Sequence, residues 1–365
     1  MLKEKLTFYT NIASPYNIDL FNSLSIYYDL KVFYFKKKET ERSWNLNISI
    51  QQYKSQIFHE DILHKIFQKI NRNLYLNIDC IFNSINDSSN IFVLSGNYFA
   101  PNNIISIFIL KIRKKKIYWF GESLLPSNNY FIFSIKKILL FFYNKMINGV
   151  FAVGNKAVLS YKKYGITKPI YNTPYSINDG KFSNLNFKKS NKIIFLTSAA
   201  LIKRKGIDLV IEAFNLLSIE ETSNLEYWII GEGPELSNLK KIIKPHIKVI
   251  FFGFIQPENL NYYFNKADYF ILTSRYDGWA VVINEALSVG LPIIVSNNCG
   301  ASEYISPEIG FIVNLDVKEI FDKILYFIEN RHLQSKYSKN CLDLCKTINS
   351  DTIASKFNYV ISSNL

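Results

Sequence analysis

YFILTSRYDGWAVVINEALSVGLPIIVS, residues 269–296, holds a whole strand–loop–helix–strand unit in one stretch. Tyr269–Leu272 is a short, wholly apolar run, which predicts a buried strand. The loop after it carries Asp277 and Gly278, and a helix is expected over 279–289. Gly290 and Pro292 close that helix, because glycine takes the left-handed cap and proline cannot continue the hydrogen-bond ladder. Pro292–Ser296 is the next apolar strand. Strands joined through a helix run parallel in one sheet, and ligands of such sheets bind beyond the carboxyl ends of the strands. A helix that starts there offers free N–H groups and the positive end of its dipole, which suits a diphosphate. Gly278 lets a ligand approach the backbone. Asp277 and Glu285 stand eight residues apart, an acid in the loop and an acid two turns into the expected helix. Both can therefore face a ligand and accept hydrogen bonds from sugar hydroxyls.

The same alternation extends outward from this stretch. Upstream of it, strands are expected at Lys192–Thr197, Leu225–Ile230 and Val249–Phe252, with helices over 206–218, 234–243 and 257–265. Residues 172–191 are rich in Asn, Ser, Lys and Gly and read as a linker. Before the linker a second series runs through strands at Leu6–Thr10, Leu30–Phe35, Ile91–Leu94 and Ile117–Phe120, with helices over 16–28 and 102–112. The expected fold is therefore α/β, with two Rossmann-like domains facing a central cleft. Residues 1–180 are expected to form an N-terminal domain and residues 190–348 a C-terminal domain, with a C-terminal helix over 350–365 expected to pack back on the first.

The order Asp277, seven residues, Glu285-Ala-Leu-Ser-Val-Gly290-Leu-Pro292 resembles the signature of retaining glycosyltransferase family 4, within glycosyl transferases group 1, whose fold is GT-B. Three further segments match in order: Leu201-Ile-Lys-Arg-Lys-Gly206-Ile-Asp208, the glycine turn Gly231-Glu-Gly-Pro234, and Cys299-Gly-Ala-Ser-Glu303. Asn172-Thr-Pro-Tyr-Ser resembles the segment that leads into the family's linker. The resemblance is specific over residues 150–315. It implies that Asp277 contacts the donor sugar, Glu285 the nucleotide ribose, and Lys205 the departing diphosphate. Arg204, Gly278, Trp279, Ala280, Gly231 and Glu303 are implied in donor binding. Two departures stand out: the first acid is Asp where the family usually has Glu, and the upstream Arg is replaced by Ala200, so Arg204 or Lys203 is expected to supply the second positive charge. In the N-terminal half the family's Gly-Gly loop is Thr10-Asn-Ile-Ala-Ser-Pro15, and the four histidines fall in no motif. Ser95-Gly96-Asn97 and Gly121-Glu122-Ser123 follow expected strands and are acceptor-side candidates. Glu122 is expected either to act on the acceptor or in catalysis or to cap a helix.

Composition narrows the rest. Net charge is +13, and residues 1–170 carry all of the excess, with 23 Lys or Arg against 10 Asp or Glu. Such a surface attracts anions, lipid headgroups included. Residues 130–148 are very apolar, with Ser134, Lys137, Asn144, Lys145 and Asn148 toward one helical face. They read as a buried crossover helix or as an interfacial membrane helix. The N-terminus lacks a signal-peptide core, and no uncharged apolar run reaches 18 residues. The four cysteines form no paired metal set or disulfide framework. A reduced, cytoplasmic protein is expected, peripheral on the inner face of the membrane. No G-x-G-x-x-G follows the first strand of either half, which argues against a nicotinamide oxidoreductase. No Asp-x-Asp pair is present, so neither metal nor cofactor is expected beyond the nucleoside diphosphate sugar itself. The expected activity is retaining transfer of a sugar from that donor to a glycan or lipid-linked acceptor in bacterial surface polysaccharide synthesis. Reversible docking on anionic membrane accompanies it, and no nucleic acid is involved. The alternative is a non-catalytic nucleotide-sugar-binding subunit of the same fold.

Overall fold

Runs such as Ile91-Phe-Val-Leu and Tyr269-Phe-Ile-Leu are apolar on both sides of the strand, so they are stable only with helices on both faces of a parallel sheet. The computed structural model, which describes residues 3–37, 51–71, 74–124, 129–178, 182 and 191–363, has two such sheets. Most of the expected linker, residues 179–181 and 183–190, lies outside the described residues. The chain divides into two units: Met1–Tyr175 with Ser350–Leu365, and Ser176–Asn349.

The first unit has seven strands, β1 (Glu4–Thr10), β2 (Tyr28–Tyr34), β3 (Lys54–Ile57), β4 (Ile91–Ser95), β5 (Lys116–Gly121), β6 (Gly149–Ala152) and β7 (Ile170–Asn172). They pair in parallel in the order β3-β2-β1-β4-β5-β6-β7. Its helices are α1 (Pro15–Ser25), α2 (Ile62–Ile70), α3 (Ile78–Asn86), α4 (Pro101–Ile112), α5 (Tyr130–Met146) and α6 (Gly154–Lys163). One sheet face is closed by an apolar cluster that takes Cys80 from α3, Ile107 and Leu110 from α4, and Leu140 and Tyr143 from α5. Helix α1 has Pro15 at its start, where a missing N–H costs nothing, and Ser14 as its cap. It ends at Ser25, short of the expected 28, because Tyr28 already opens β2.

On α5 the structure divides the polar stripe expected over 130–148. Asn144 turns inward, accepts from the backbone N–H groups of Thr167 and Lys168 and donates to the Thr167 hydroxyl, while the Asn148 side chain accepts from Ile117 N–H. Buried backbone donors need partners, so these asparagines pin the helix to neighbouring loops. Among the described residues no helix is long and apolar enough to cross a membrane.

The second unit has β8 (Ile193–Ser198), β9 (Leu225–Ile230), β10 (Val249–Gly253), β11 (Tyr269–Leu272), β12 (Ile293–Ser296) and β13 (Gly310–Val313). The order is β10-β9-β8-β11-β12-β13, again all parallel. The helices are α7 (Ile207–Phe214), α8 (Ile219–Thr222), α9 (Leu236–Lys241), α10 (Pro257–Lys266), α11 (Val282–Ser288), α12 (Val317–Glu329) and α13 (Gln334–Thr347). A second apolar cluster, with Phe195, Ile211, Phe214, Tyr269 and Phe327, forms its core. Helix α14 (Ser350–Ser363) belongs to the first unit: Ser23 donates to Asp351, Tyr28 to Asn358, and Phe357 stacks on Phe151 with ring centroids 3.9 Å apart.

Candidate active site

Strand order decides where a ligand can sit. From β8 the chain fills one side of the second sheet through β9 and β10, then returns to place β11 on the other side of β8. The crossover loops leave β8 and β11 in opposite directions, which opens a crevice at their carboxyl ends. The segments just beyond those two ends are Ala199–Gly206 and Thr273–Ala280, so the sheet brings the Lys-Arg-Lys-Gly turn and the Asp277 loop together.

Glycine makes the approach possible. Gly206 has φ +68°, and a Cβ there would lie 2.0 Å from the Thr273 carbonyl oxygen. No other residue fits both conditions. The Thr273 hydroxyl donates to the Gly206 carbonyl at 2.8 Å and ties the turn to the end of β11. On the other side of the loop, Gly300 N–H donates to the Asp277 carbonyl, and Ala301 N–H to that of Trp279. A Cβ at Gly300 would meet the Gly278 carbonyl oxygen at 2.2 Å.

Lys203–Lys205 is a single 3₁₀ turn, and its three cations divide between two acids. Lys203 Nζ bonds Asp208 at 2.6 Å. Arg204 donates to the Tyr276 carbonyl and lies 3.8 Å from the Asp277 carboxylate. Lys205 Nζ bonds that same carboxylate at 2.5 Å, and both side chains of the pair are largely buried. Of the two residues expected to supply a second positive charge, Arg204 therefore faces the acid and Lys203 does not.

Behind them stands a pair missed in the sequence. Arg275 forks onto both carboxylate oxygens of Asp208 at 2.8 Å and also donates to the Lys203 carbonyl. Its own N–H donates to the Arg204 carbonyl. Burial alone would raise the Asp208 pKa. The hydrogen bonds and charges of Arg275 and Lys203 outweigh it and hold the carboxyl down at about 2. The signal was present, an Arg two residues before Asp277 and an Asp two residues after Gly206, but their pairing depends on strand order.

Helix α11 differs from the expected 279–289. Ala280 sits at φ +74°, a left-handed conformation that a helix cannot contain, so the helix starts only at Val282. Glu285 consequently lies in its first turn and not two turns in. The Trp279 indole is buried, with its N–H bonded to Asn284 at 3.0 Å and Tyr304 edge-on at 5.2 Å. This position therefore offers a ligand its backbone and not its ring. Gly231 is held at φ +138° against the Ala199 carbonyl. Glu303 lies in the short turn Gly300–Tyr304 after β12.

Glu122 belongs to the first unit, where it is exposed just past β5. At that unit's own reversal, between β1 and β4, Gly96 at φ +96° packs on the Asn11 side chain. Asn103 donates to the Ser95 and Asn97 carbonyls. The side-chain oxygens of Asn11 and Asn103 are buried with no hydrogen-bond partner. Among the described residues, no three His, Cys, Asp or Glu side chains gather as a metal-holding group.

Residues 179–342 match the family described as glycosyl transferases group 1, which covers most of the second unit. Over this unit the chain is similar to that family. The chain is 31% identical over 147 residues to the O-antigen biosynthesis glycosyltransferase WclY of Escherichia coli, 38% of each protein. It is 33% identical over 121 residues to the amylovoran biosynthesis glycosyltransferase AmsK of Erwinia amylovora, 30% of this chain and 29% of that one. The chain thus spans about two fifths or less of the length of these curated relatives. Among solved structures, Anabaena HepE in complex with UDP and glucose superposes with a TM-score of 0.75 at 14% identity, over 99% of this chain and 100% of that one. Sucrose-phosphate synthase from Thermosynechococcus elongatus follows at 0.74 and 14%, over 99% of each. At such identities the likeness is one of fold, and it bears out the α/β, GT-B-type pair of Rossmann-like units.

Proposed function

We propose that the chain is a glycosyltransferase that moves a sugar, with retention at the anomeric carbon, from a nucleoside diphosphate sugar to a glycan or lipid-linked acceptor of a surface polysaccharide. The observation that carries this reading is the convergence of Arg204 and Lys205 on Asp277 at the β8–β11 reversal. Lys205 gives one of its three N–H donors to Asp277, and the others can take phosphate oxygens. As the bond from sugar to diphosphate breaks, negative charge grows on the leaving oxygen. Cations already held by the Asp277 carboxylate stabilise that charge with little reorganisation. Asp277 then orients the sugar hydroxyls and Glu285 holds the ribose. In the first unit, the Asn11 and Asn103 oxygens can accept from acceptor hydroxyls, and Glu122 is the acidic candidate on the acceptor side. HepE was solved with UDP and glucose and WclY is described as acting in O-antigen biosynthesis, which supports this donor and acceptor class. The excess positive charge of the first unit supports a seat on the cytoplasmic face of an anionic membrane.

The test is a thermal-shift screen of the purified protein against UDP, GDP and their sugars, followed by donor turnover with the nucleotide sugar that binds. Stabilisation with release of nucleoside diphosphate supports the reading. Stabilisation without hydrolysis or transfer to any lipid-linked or glycan acceptor supports the non-catalytic binding subunit. No shift with any nucleotide refutes both.

A further inference from the structure

Helices α3, α4 and α5 lie side by side on one face of the first sheet, and their inner residues share one apolar cluster. Their outer faces therefore point to solvent, yet these too are apolar. On α5, Phe131, Ile135, Ile138 and Phe142 recur at helical spacing along a single stripe, and Phe131 is 71% exposed. On α4, Phe108 and Ile112 form the neighbouring stripe, 60% and 66% exposed. Phe82 on α3 extends it. Soluble monomers rarely leave so continuous an apolar surface open to water.

Charge selects what covers it. Between Asp87 and Asp179 the chain has twelve Lys or Arg and a single acid, Glu122. Helices α4 and α5 contain no acid at all, while Lys111, Lys137 and Lys145 stand exposed among the apolar side chains. A second copy of the chain would bring like charge against like charge. An anionic bilayer matches both features, taking the rings and branched chains at the acyl boundary and the ammonium groups among its phosphates.

We propose that the outer face of α3–α4–α5 is the seat of the first unit on an anionic lipid surface, with the α5 stripe inserted among the headgroups. This rests on the reading that the enzyme works at a membrane, and it adds the place and the mode. Binding held by insertion survives salt that screens purely ionic docking, since at 1 M the Debye length is about 3 Å.

The experiment is co-sedimentation of the full chain with phosphatidylcholine vesicles, with and without phosphatidylglycerol, at 0.05 and 1 M salt. It is run for the native chain and for the double variant Phe131→Ser/Phe142→Ser, whose thermal melt and nucleotide affinity serve as controls for folding. A third protein, Ile138→Trp, is tested for quenching by brominated acyl chains. The expected result is binding to anionic vesicles that persists in part at 1 M salt, a loss of at least tenfold in the double variant, and bromolipid quenching at position 138. If the native chain binds and the double variant binds equally, or Trp at 138 stays unquenched, the face is wrong and the membrane reading stands. If the native chain ignores anionic vesicles at low salt, both fall. Concentration-dependent dimerisation that the double variant abolishes would show a self-association surface and overturn the proposal.

Discussion

Asp208→Asn tests whether the Arg275 fork holds the cationic turn in place. In the folded protein the Asp208 carboxyl sits at about 2, against an ordinary 3.8. At 1.36 kcal/mol per unit that difference is about 2 kcal/mol. Lys203 is mostly solvent-exposed and Arg275 partly so, so screening reduces the contribution to about 1–2 kcal/mol. The sign follows from the depressed pKa. The stabilisation is complete above the unfolded value of 3.8 and is lost as pH falls toward about 2. Asn keeps the size of the side chain but can neither carry the charge nor accept both guanidinium bonds. Asp208→Asn should therefore lower the melting temperature at pH 7 by roughly 2–8 °C, at about 2–4 °C per kcal/mol for a unit of this size. It should also flatten the fall in stability between pH 4 and 2. The assay is a set of thermal melts of both proteins across that range. Equal melting at pH 7 together with an unchanged acid slope would refute the role given to the fork.

The other expectations concern the site. Glu285→Gln should weaken nucleoside diphosphate binding by about 1–3 kcal/mol, the scale of a lost charged hydrogen bond, and unchanged calorimetric affinity would remove Glu285 from the ribose. Lys205→Ala should cut turnover by roughly 10²–10³, as for loss of one preorganised stabilising group; near-normal turnover would shift the role to Arg204. Ala280→Gly relieves the left-handed strain at φ +74° and should raise stability by up to about 1 kcal/mol in denaturant melts, so a clear loss of stability there would count against strain at this loop.

Strand and helix order was readable because each buried strand is a short apolar run between turn residues, and each crossover is a helix of ordinary length. Tyr269–Leu272 and Leu225–Ile230 fall on β11 and β9 to the residue. The helix start before Glu285 was not readable, because Ala at a positive φ is set by the packing of Trp279 and the Gly300 contact, and Ala is by itself a strong helix former. The pairing of Arg275 with Asp208 needs the β8–β11 adjacency, a property of sheet order. The solvent-facing apolar stripe of α5 was only half legible, as one of two readings of residues 130–148: periodicity finds an apolar face but does not say which side of a helix the sheet covers.

Helix α14 has a consequence for how the chain is made. All seven strands of the first unit precede Tyr175, but the helix that covers Phe120 and Phe151 with Phe357 begins only at Ser350. A ribosome emits the whole of the second unit in between, a delay of roughly ten to thirty seconds at about 5–20 residues per second. During that time the part of the first sheet around Phe120 and Phe151 lacks its cover, while the second unit, continuous in sequence, is free to close first. The order of maturation is thus the reverse of the order of synthesis, and the nascent first unit is the form of this protein most exposed to chaperones and proteases.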